Sequence, residues 1–391
     1  MDSTSPAGIY LHIPFCTAKC PYCDFLSSTD MRRLPDLLAA MEREVKLRST
    51  DALRFDTVYF GGGTPSLLEG RAVTRLLAVL RDHFDILHDA EITLEGNPGS
   101  LRPEKLTAYR KAGINRLNIG VQSFRDANLR LLERRHDAAA ARGAVENARA
   151  AGFTNLGLDL IYGLPGQSLD AWQADMEAAL ALLPEHLSCY LLTYERGTRF
   201  DLRRRRGELA ALPESTQADL VIRTHRFLRG NNYPAYEISN FARRTSPGGP
   251  DLRSRHNRKY WDHTPYLGLG PAAHSFLPPE RSWNVKGLGR YAERSATGER
   301  PLDASERLSS SEVRMEFLYL SLRQTRGLDT ERYHRRFGEA FADRFDSRLA
   351  PLVADGLLEW APPCYRLTDK GLPLADGVVA HLVDALPEGE D

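Results

Sequence analysis

Over residues 1–240, short apolar runs alternate with longer stretches of helical periodicity. The runs at 9–13, 57–60, 91–95, 116–120, 156–162 and 187–193 are mostly rich in Ile, Leu, Val and Tyr. Most are bounded by Gly, Pro or Asn, and they read as strands. Between them, 34–48, 71–83, 103–112, 138–151 and 169–183 read as helices. Ser168 is placed to cap the last of these. Pro103 suits a first helical turn, and Gly113 and Gly152 suit helix ends.

Strands and helices alternating about every 30–35 residues predict parallel βαβ units. Continuously apolar strands predict a sheet covered on both faces. Six such units occupy about 195 residues, fewer than the ~250 of a closed eight-fold barrel. An α/β core is therefore expected, either an open three-quarter barrel or a doubly wound sheet.

Beyond it the pattern loosens. Residues 243–258, with Pro247, Gly248, Gly249 and Pro250 among arginines, read as a loop. The uncharged, Gly- and Pro-rich stretch 264–279 reads as irregular. Helical periodicity returns at 313–324, 330–337 and 349–355, the last closed by Gly356, and 357–360 with 365–368 read as a hairpin. Helices followed by a hairpin predict a winged-helix-like module. The expected organisation is a barrel at 1–240, a connecting region at 241–300 and a mostly helical module at 301–391.

Composition changes little of this, since 42% hydrophobic and 27% charged residues describe an ordinary globular chain. Its 52 basic side chains balance 52 acidic ones, which removes any global electrostatic case for a nucleic-acid partner. The charge is unevenly spread: 1–300 carries a net +6 and 301–391 a net −6. The acidic module thus argues against nucleic-acid binding despite its winged-helix pattern. The arginine run 203–206 reads as a solvated helix face, with a docking patch as the alternative. No apolar stretch approaches the ~18 residues of a membrane span. The start of the chain lacks a basic region followed by an apolar core, so a cytoplasmic protein is expected.

Chemistry enters with the cysteines. Five is an odd count in a large chain, so no disulfide framework is expected. Cys16, Cys20 and Cys23 crowd into eight residues after the first strand, while Cys189 and Cys364 stand alone. Pro14 and Pro21 oppose a helix there, so the segment reads as a loop wrapping a metal. Structural zinc needs a fourth ligand, for which His12 is the nearest candidate. An iron–sulfur cluster on three cysteines instead leaves one iron open. Gly61, Gly62, Gly63 and Thr64 follow the second strand, where glycines permit close approach and free N–H groups suit a carboxylate. Glu95 ends the third strand, Gln122 follows the fourth and Asp159 lies in the fifth. In a βα barrel the C-terminal strand ends carry the site.

The string Tyr10-Leu-His-Ile-Pro-Phe-Cys16-Thr-Ala-Lys-Cys20-Pro-Tyr22-Cys23-Asp-Phe25 resembles the radical S-adenosylmethionine (SAM) family, in its coproporphyrinogen III dehydrogenase-like branch. The resemblance implies a partial (β/α)6 barrel with a [4Fe–4S] cluster on Cys16, Cys20 and Cys23. The open iron would chelate the amino and carboxylate groups of SAM, and an electron would cleave the sulfonium to a 5′-deoxyadenosyl radical. Implied SAM-site residues are Tyr10, Tyr22, Gly62, Gly63, Thr64, Glu95, Gln122, Asp159 and, twelve positions after Gln122, Arg134. The turn 163–167 is a further family motif, with a shaping role.

The true dehydrogenases of the branch carry another cysteine where this chain has Phe25, and a longer segment before the cluster than the fifteen residues preceding Cys16. Both departures point instead to the HemW group of haem chaperones. His256-Asn257-Arg258-Lys259-Tyr260-Trp261 resembles that group's HNxxYW motif, which implies haem as a third cofactor with His256 as a ligand. A neutral imidazole is a good axial ligand to iron. Tyr260 and Trp261 are then expected to flank the macrocycle, and Arg253, Arg255, Arg258 and Lys259 to pair with its propionates. The plain alternative is a partly buried His that holds a loop, and His274 is a rival ligand. Implied partners are haem, haem-requiring acceptor proteins (membrane-associated ones among them) and an electron donor for the cluster. The chain itself is not expected to be an integral membrane protein or to bind nucleic acid. Turnover of SAM is not required of a chaperone. The alternative function is an oxygen-independent coproporphyrinogen III dehydrogenase; a radical enzyme acting on nucleic acid ranks third.

Overall fold

The structure, a computed structural model, describes residues 5–49 and 53–383. Six strands, β1 (Ala7–Ile13), β2 (Arg54–Gly62), β3 (Asp85–Gly96), β4 (Arg116–Gln122), β5 (Leu156–Tyr162) and β6 (His186–Leu191), lie side by side in sequence order. All five neighbouring pairs are parallel. This is the partial (β/α)6 barrel that the family resemblance implies, the first of the two arrangements the alternation leaves open. The connecting helices bury one stripe each against the sheet. In Gly70–His83 the buried Val73, Leu76, Leu77 and Leu80 follow the helical repeat. The punctuation also falls where the sequence places it. The Ser168 side chain accepts from Ala171 N–H at 3.1 Å, and Gly113 ends its helix at φ +108°, a conformation that favours glycine.

The barrel is left open between β1 and β6, and the segment after residue 240 builds onto both edges. Strand β7 (Asn240–Ala242) pairs antiparallel with β6. On the other edge, β8 (Tyr266–Leu269) runs parallel to β1 and is followed by β9 (His274–Leu277), β10 (Glu280–Asn284) and β11 (Leu302–Arg307), each antiparallel to its neighbour. Two readings are corrected here. The stretch 264–279 is not irregular, because Pro265 and Gly270 bracket a four-residue strand rather than a loop. The loop expected at 243–258 ends in a helix, Arg255–Trp261, capped by Ser254, whose hydroxyl accepts from Asn257 N–H. The arginine run lies at the end of helix Arg199–Arg205 and pairs with the buried Asp201 and the exposed Glu208.

The C-terminal module has a separate apolar core around Phe317, Leu318, Tyr333, Phe345 and Leu349. Helices Ser310–Leu322, Thr330–Phe337 and Phe341–Ala354 surround a small antiparallel sheet of β12 (Leu328–Asp329), β13 (Leu358–Ala361) and β14 (Cys364–Leu367), ordered β12-β14-β13. The third helix is longer than the periodicity shows because it accommodates Pro351 in its interior. A further helix, Ala375–Val383, packs on the first. The module docks on the barrel through an apolar cluster of Phe276, Leu308 and Val313 and through polar contacts. Arg226 and Arg229 pair with Asp369, Arg326 with Asp262, and Gln324 Nε2 donates to Trp261 O at 2.8 Å. Among the described residues no helix is long and apolar enough to cross a membrane.

Candidate functional site

A cavity of about 950 Å³ occupies the barrel interior, from the loop after β1 down to the helix Arg255–Trp261. Tyr10, Cys16, Cys20, Tyr22, Cys23, Gly62, Gly63, Thr64, Glu95, Gln122, Arg134, Asp159 and His256 all line it. His12, His274, Cys189 and Cys364 do not. His12 is engaged elsewhere, with its ring nitrogens against Tyr10 Oη at 3.2 Å and Leu26 O at 3.2 Å. His274 is the exposed first residue of β9, stacked on Trp283. Cys189 is buried in β6, and Cys364 belongs to the C-terminal sheet.

The cysteine segment is an irregular loop closed at its base. Ser28 N–H donates to Pro14 O at 2.6 Å, and Cys16 N–H donates to Ser28 O at 3.0 Å. Two side chains from other units reach the thiols. Thr64 Oγ1 lies 3.6 Å from Cys16 Sγ, and Arg134 Nη1 lies 3.4 Å from Cys20 Sγ. Burial pushes the Cys16 and Cys23 thiols up, opposed at Cys16 by the Thr64 hydroxyl and at Cys23 by the Phe25 backbone. A bound cation reverses that penalty, because coordination deprotonates a thiol outright. Among the described residues no group of three or more His, Cys, Asp or Glu is gathered closely enough to cage a single ion. The three thiols face a shared space instead, which suits a cluster that takes each sulfur on a different iron.

The N–H groups of the glycine turn are engaged within the protein, that of Gly62 with the Glu95 carboxylate. Gly63 and Thr64 N–H donate to Ile13 O at 2.9 Å and Phe15 O at 2.7 Å, so these donors are already used. A Cβ on Gly63 would stand 2.7 Å from Phe15 O. The turn therefore clamps the start of the cysteine loop onto the end of β2, and bare backbone is needed for that approach.

Arg134 is turned inward, while its neighbour Arg135 is exposed and reaches only Thr17 O at 3.4 Å. The Arg134 guanidinium joins Asn97 Oδ1 at 2.5 Å, Gly120 O at 2.9 Å, Tyr22 Oη at 3.4 Å and Cys20. Asn97 in turn donates to Thr64 Oγ1 at 3.1 Å. This residue, directly after β3, ties the second, third and fourth βα units to the loop and was missed in the sequence. Gln122 sits at φ +69°, a strained backbone for a residue with a side chain, which turns the chain at the strand end.

Deeper in, Glu95 accepts from Tyr59 Oη at 2.7 Å, and burial pushes its carboxyl up to about 7. Asp159 accepts from Asn118 Nδ2 at 2.7 Å, while its Oδ1 is buried without a partner. Burial raises this carboxyl too, opposed by hydrogen bonding from Ser188 and Asn118. An unpaired buried carboxylate oxygen costs free energy unless a ligand supplies a donor. Asp159 thus fits a polar, hydroxyl- or amine-bearing ligand such as SAM. Tyr59, Asn118 and Ser188 also line the cavity and were not singled out. Their signal is period-two polarity within apolar strands, seen in the cavity-facing Arg116, Asn118, Gly120 and Gln122 of β4.

His256 lies at the opposite end and is 1% exposed. Its Nδ1 is 2.8 Å from Thr57 Oγ1 and its Nε2 is 3.0 Å from Tyr260 Oη. The ring stacks on Tyr59 with centroids 5.0 Å apart. Burial, followed by the Lys259 charge, pushes its pKa down to about 3, so the ring is neutral. Asn257 donates to Tyr236 Oη at 3.0 Å, and that oxygen lies 2.9 Å from His186 Nε2. Lys259 Nζ is 2.6 Å from Asp56, and Arg258 pairs with Asp251. Arg253 also pairs with Asp251, and Arg255 donates to Asp89 O. The motif 256–261 closes the barrel floor, with both nitrogens of its histidine occupied.

Comparison with known proteins agrees with this architecture. Residues 10–179 match the Radical SAM superfamily model, and 308–374 match the HemN C-terminal domain. The heme chaperone HemW of Mycobacterium tuberculosis is 39% identical over 384 residues, covering 97% of this chain and 95% of that protein. HemW of Bacillus subtilis is 32% identical over 384 residues, covering 96% and 99%. The solved structure of coproporphyrinogen III oxidase (HemN) from Escherichia coli, described as a radical SAM enzyme, aligns with a TM-score of 0.82. That alignment covers 98% of this chain and 91% of that one, at 26% identity. With relatives matched along almost its whole length, the chain belongs to the HemW family, within the radical SAM superfamily.

Proposed function

We propose that this protein is a cytoplasmic haem chaperone that carries a [4Fe–4S] cluster, SAM and haem, and hands haem to haem-requiring acceptor proteins. The observation that carries the reading is the near full-length relationship to proteins named heme chaperone HemW, set against 26% identity to the oxidase of the same fold. Phe25, where the dehydrogenases carry a cysteine, supports it.

In this reading Cys16, Cys20 and Cys23 would hold the cluster, and SAM would bind beside it. When bound, the cluster supplies an electron to the sulfonium. The protein's own groups position the reactants. Arg134 offers its guanidinium to Cys20 and to the SAM carboxylate. Glu95 receives positive charge, and Asp159 receives a ribose or amine donor at Oδ1. The clamp at Gly63 and Thr64 fixes the loop, so any contact from 62–64 to SAM uses carbonyl or hydroxyl oxygens. His256 serves as a haem ligand only if it releases Thr57 or Tyr260 and leaves its buried position.

The test is anaerobic reconstitution of the purified protein followed by haem titration and transfer to an apo-haemoprotein. The expected result is a broad visible cluster band, a Soret band on adding haem, and transfer. Conversion of coproporphyrinogen III to protoporphyrinogen with release of CO2 would establish the dehydrogenase instead. That second reading draws on the TM-score of 0.82 to the oxidase.

A further inference from the structure

The cysteine loop and the arginine-rich helix Arg199–Arg205 are built as one surface. Phe200 N–H donates to Pro21 O at 2.9 Å, and Arg199 Nη2 donates to Lys19 O at 2.9 Å. The helix is thus fastened to the backbone between Cys16 and Cys23, with the Phe200 ring 6.2 Å from that of Tyr22. From a third element, Arg135 Nη1 donates to Thr17 O at 3.4 Å. The segments so joined, 16–25, 133–135 and 195–208, carry nine basic and five acidic side chains. Their net +4 is most of the +6 carried by residues 1–300, so the positive charge of the barrel is gathered around the cysteines.

Little of that charge is cancelled on the spot. Arg203, Arg204, Arg205 and Arg206 share two carboxylates, Asp201 and Glu208, at 3.0 to 4.0 Å. Surface pairs of this kind contribute little and leave the arginines able to take another anion. Lys19, Arg135, Arg196, Arg204, Arg205 and Arg206 are all exposed. The loop itself is thinly covered. Thr17, Ala18 and Lys19 face solvent, and Phe25, two residues after Cys23, is 63% exposed. An apolar ring left in water beside a charged rim is the anatomy of a recognition surface.

We propose that this surface docks an acidic one-electron carrier protein and brings its redox centre against the cysteine loop. The inference rests on the reading that the loop holds a [4Fe–4S] cluster, and adds how that cluster receives its electron. One electron leaves the carrier's reduced centre and enters the oxidised cluster; no bond forms and no proton moves. Opposite charges steer such an encounter and raise its rate by about 10–10³-fold. The contact can be small, as in redox pairs that must part after transfer.

The experiment uses the full-length, cluster-loaded protein and, as probe, an acidic plant-type [2Fe–2S] ferredoxin. Calorimetry measures association, and rapid-freeze EPR follows the electron passed from the reduced probe. Wild type is compared with the double variant Arg204→Glu/Arg206→Glu, with Phe25→Ala, and with Lys111→Glu, exposed in the helix turn that leads into the start of β4. Iron content and far-UV circular dichroism check that each is loaded and folded. Wild-type affinity should fall about tenfold or more between ~0.01 M and ~0.15 M salt, as the Debye length shrinks from ~30 to ~8 Å. The double reversal should lower affinity and rate about tenfold or more at low salt and flatten the salt dependence. Phe25→Ala should weaken association and keep the salt slope, and Lys111→Glu should change neither. Excess dithionite should reduce the cluster fully in every variant, because a small reductant needs no dock. Equal binding by the double reversal and wild type would overturn the proposal, as would an equal loss in Lys111→Glu. So would a double reversal that takes electrons normally and fails only in haem transfer, since the surface would then serve the acceptor. A wild type that loads no iron would instead sink the cluster reading on which the proposal rests.

Discussion

The mouth and the floor of the barrel are both built from polar side chains, but they use them differently. At the mouth three thiols face open space, and on the walls below them Asp159 keeps an oxygen without a close partner and burial pushes the Glu95 carboxyl up to about 7. At the floor, His256 spends both ring nitrogens on Thr57 and Tyr260, and Asn257 and Lys259 are likewise bonded. Both ends carry recognisable sequence motifs. What separates them is unspent bonding capacity. The mouth is organised to receive a ligand, and the floor is organised to hold β1, β2 and the helix behind them together.

The largest effects should fall at the mouth. Replacing any one of Cys16, Cys20 or Cys23 by Ser should abolish the cluster, read as loss of iron and acid-labile sulfide and of the visible band. Folding should survive, since none of the three is deeply buried. Retention of stoichiometric iron in any single variant would remove that cysteine from the site. The floor should respond in the opposite sense. His256→Ala leaves the Thr57 and Tyr260 hydroxyls without a partner and opens a cavity, which should cost about 2–5 kcal/mol in urea unfolding. The cluster should load normally.

The same variant should flatten the acid limb of stability. His256 titrates at about 3 when folded and near ~6.5 when unfolded, so between these values the unfolded chain binds a proton that the folded chain refuses. Stability contributed by this site is therefore present at neutral pH and lost as pH falls through that window. A floor variant with unchanged urea midpoint and unchanged acid limb would mean that the motif closes nothing.

The sequence makes the mouth legible because its chemistry is local. The cysteine spacing lies in one loop, and Glu95, Gln122 and Asp159 stand at or near the ends of strands that periodicity already locates. The floor was legible only as a motif. Its meaning depends on the Thr57–His256 contact, which joins residues 199 positions apart. The edge strands β8–β11 escaped because they are short and either sit among Gly and Pro, as β8 and β9 do, or are mostly polar, as β10 and β11 are. Asn97 escaped because its role comes from partners distant in the chain: Thr64 and Ser66 in the turn after β2, and Arg134 beyond β4.

Arg134 sharpens the contrast further, because it acts on the ligand side of the boundary. Arg134→Ala removes a charge-assisted contact to Cys20 and frees Asn97. It should weaken SAM binding by about ten- to a hundredfold, as expected for a hydrogen bond to a charged group worth ~1.5–3 kcal/mol. Isothermal calorimetry on the cluster-loaded protein measures this. Arg135→Ala, one residue away and exposed, should change nothing. Equal losses in both variants would show that general positive charge matters, and not the inward geometry.

The smallest effect is a pH dependence carried by Glu95. SAM carries a net positive charge, so the Glu95 carboxylate should favour it over the protonated acid. With the carboxyl held at about 7, the charged form grows as pH rises through neutrality. SAM affinity should therefore increase roughly tenfold between pH ~6 and ~8 and then level off. The sign follows from the causes: burial and the Asp159 charge raise this pKa, against the Tyr59 hydroxyl and the Gly62 N–H that lower it. Glu95→Gln should bind more weakly at the higher pH and lose the slope, while Thr57→Ser at the floor should keep it. A wild-type profile that is flat across this range would mean that SAM does not sense Glu95, and its binding would then depend on the cluster, Arg134 and Asp159 alone.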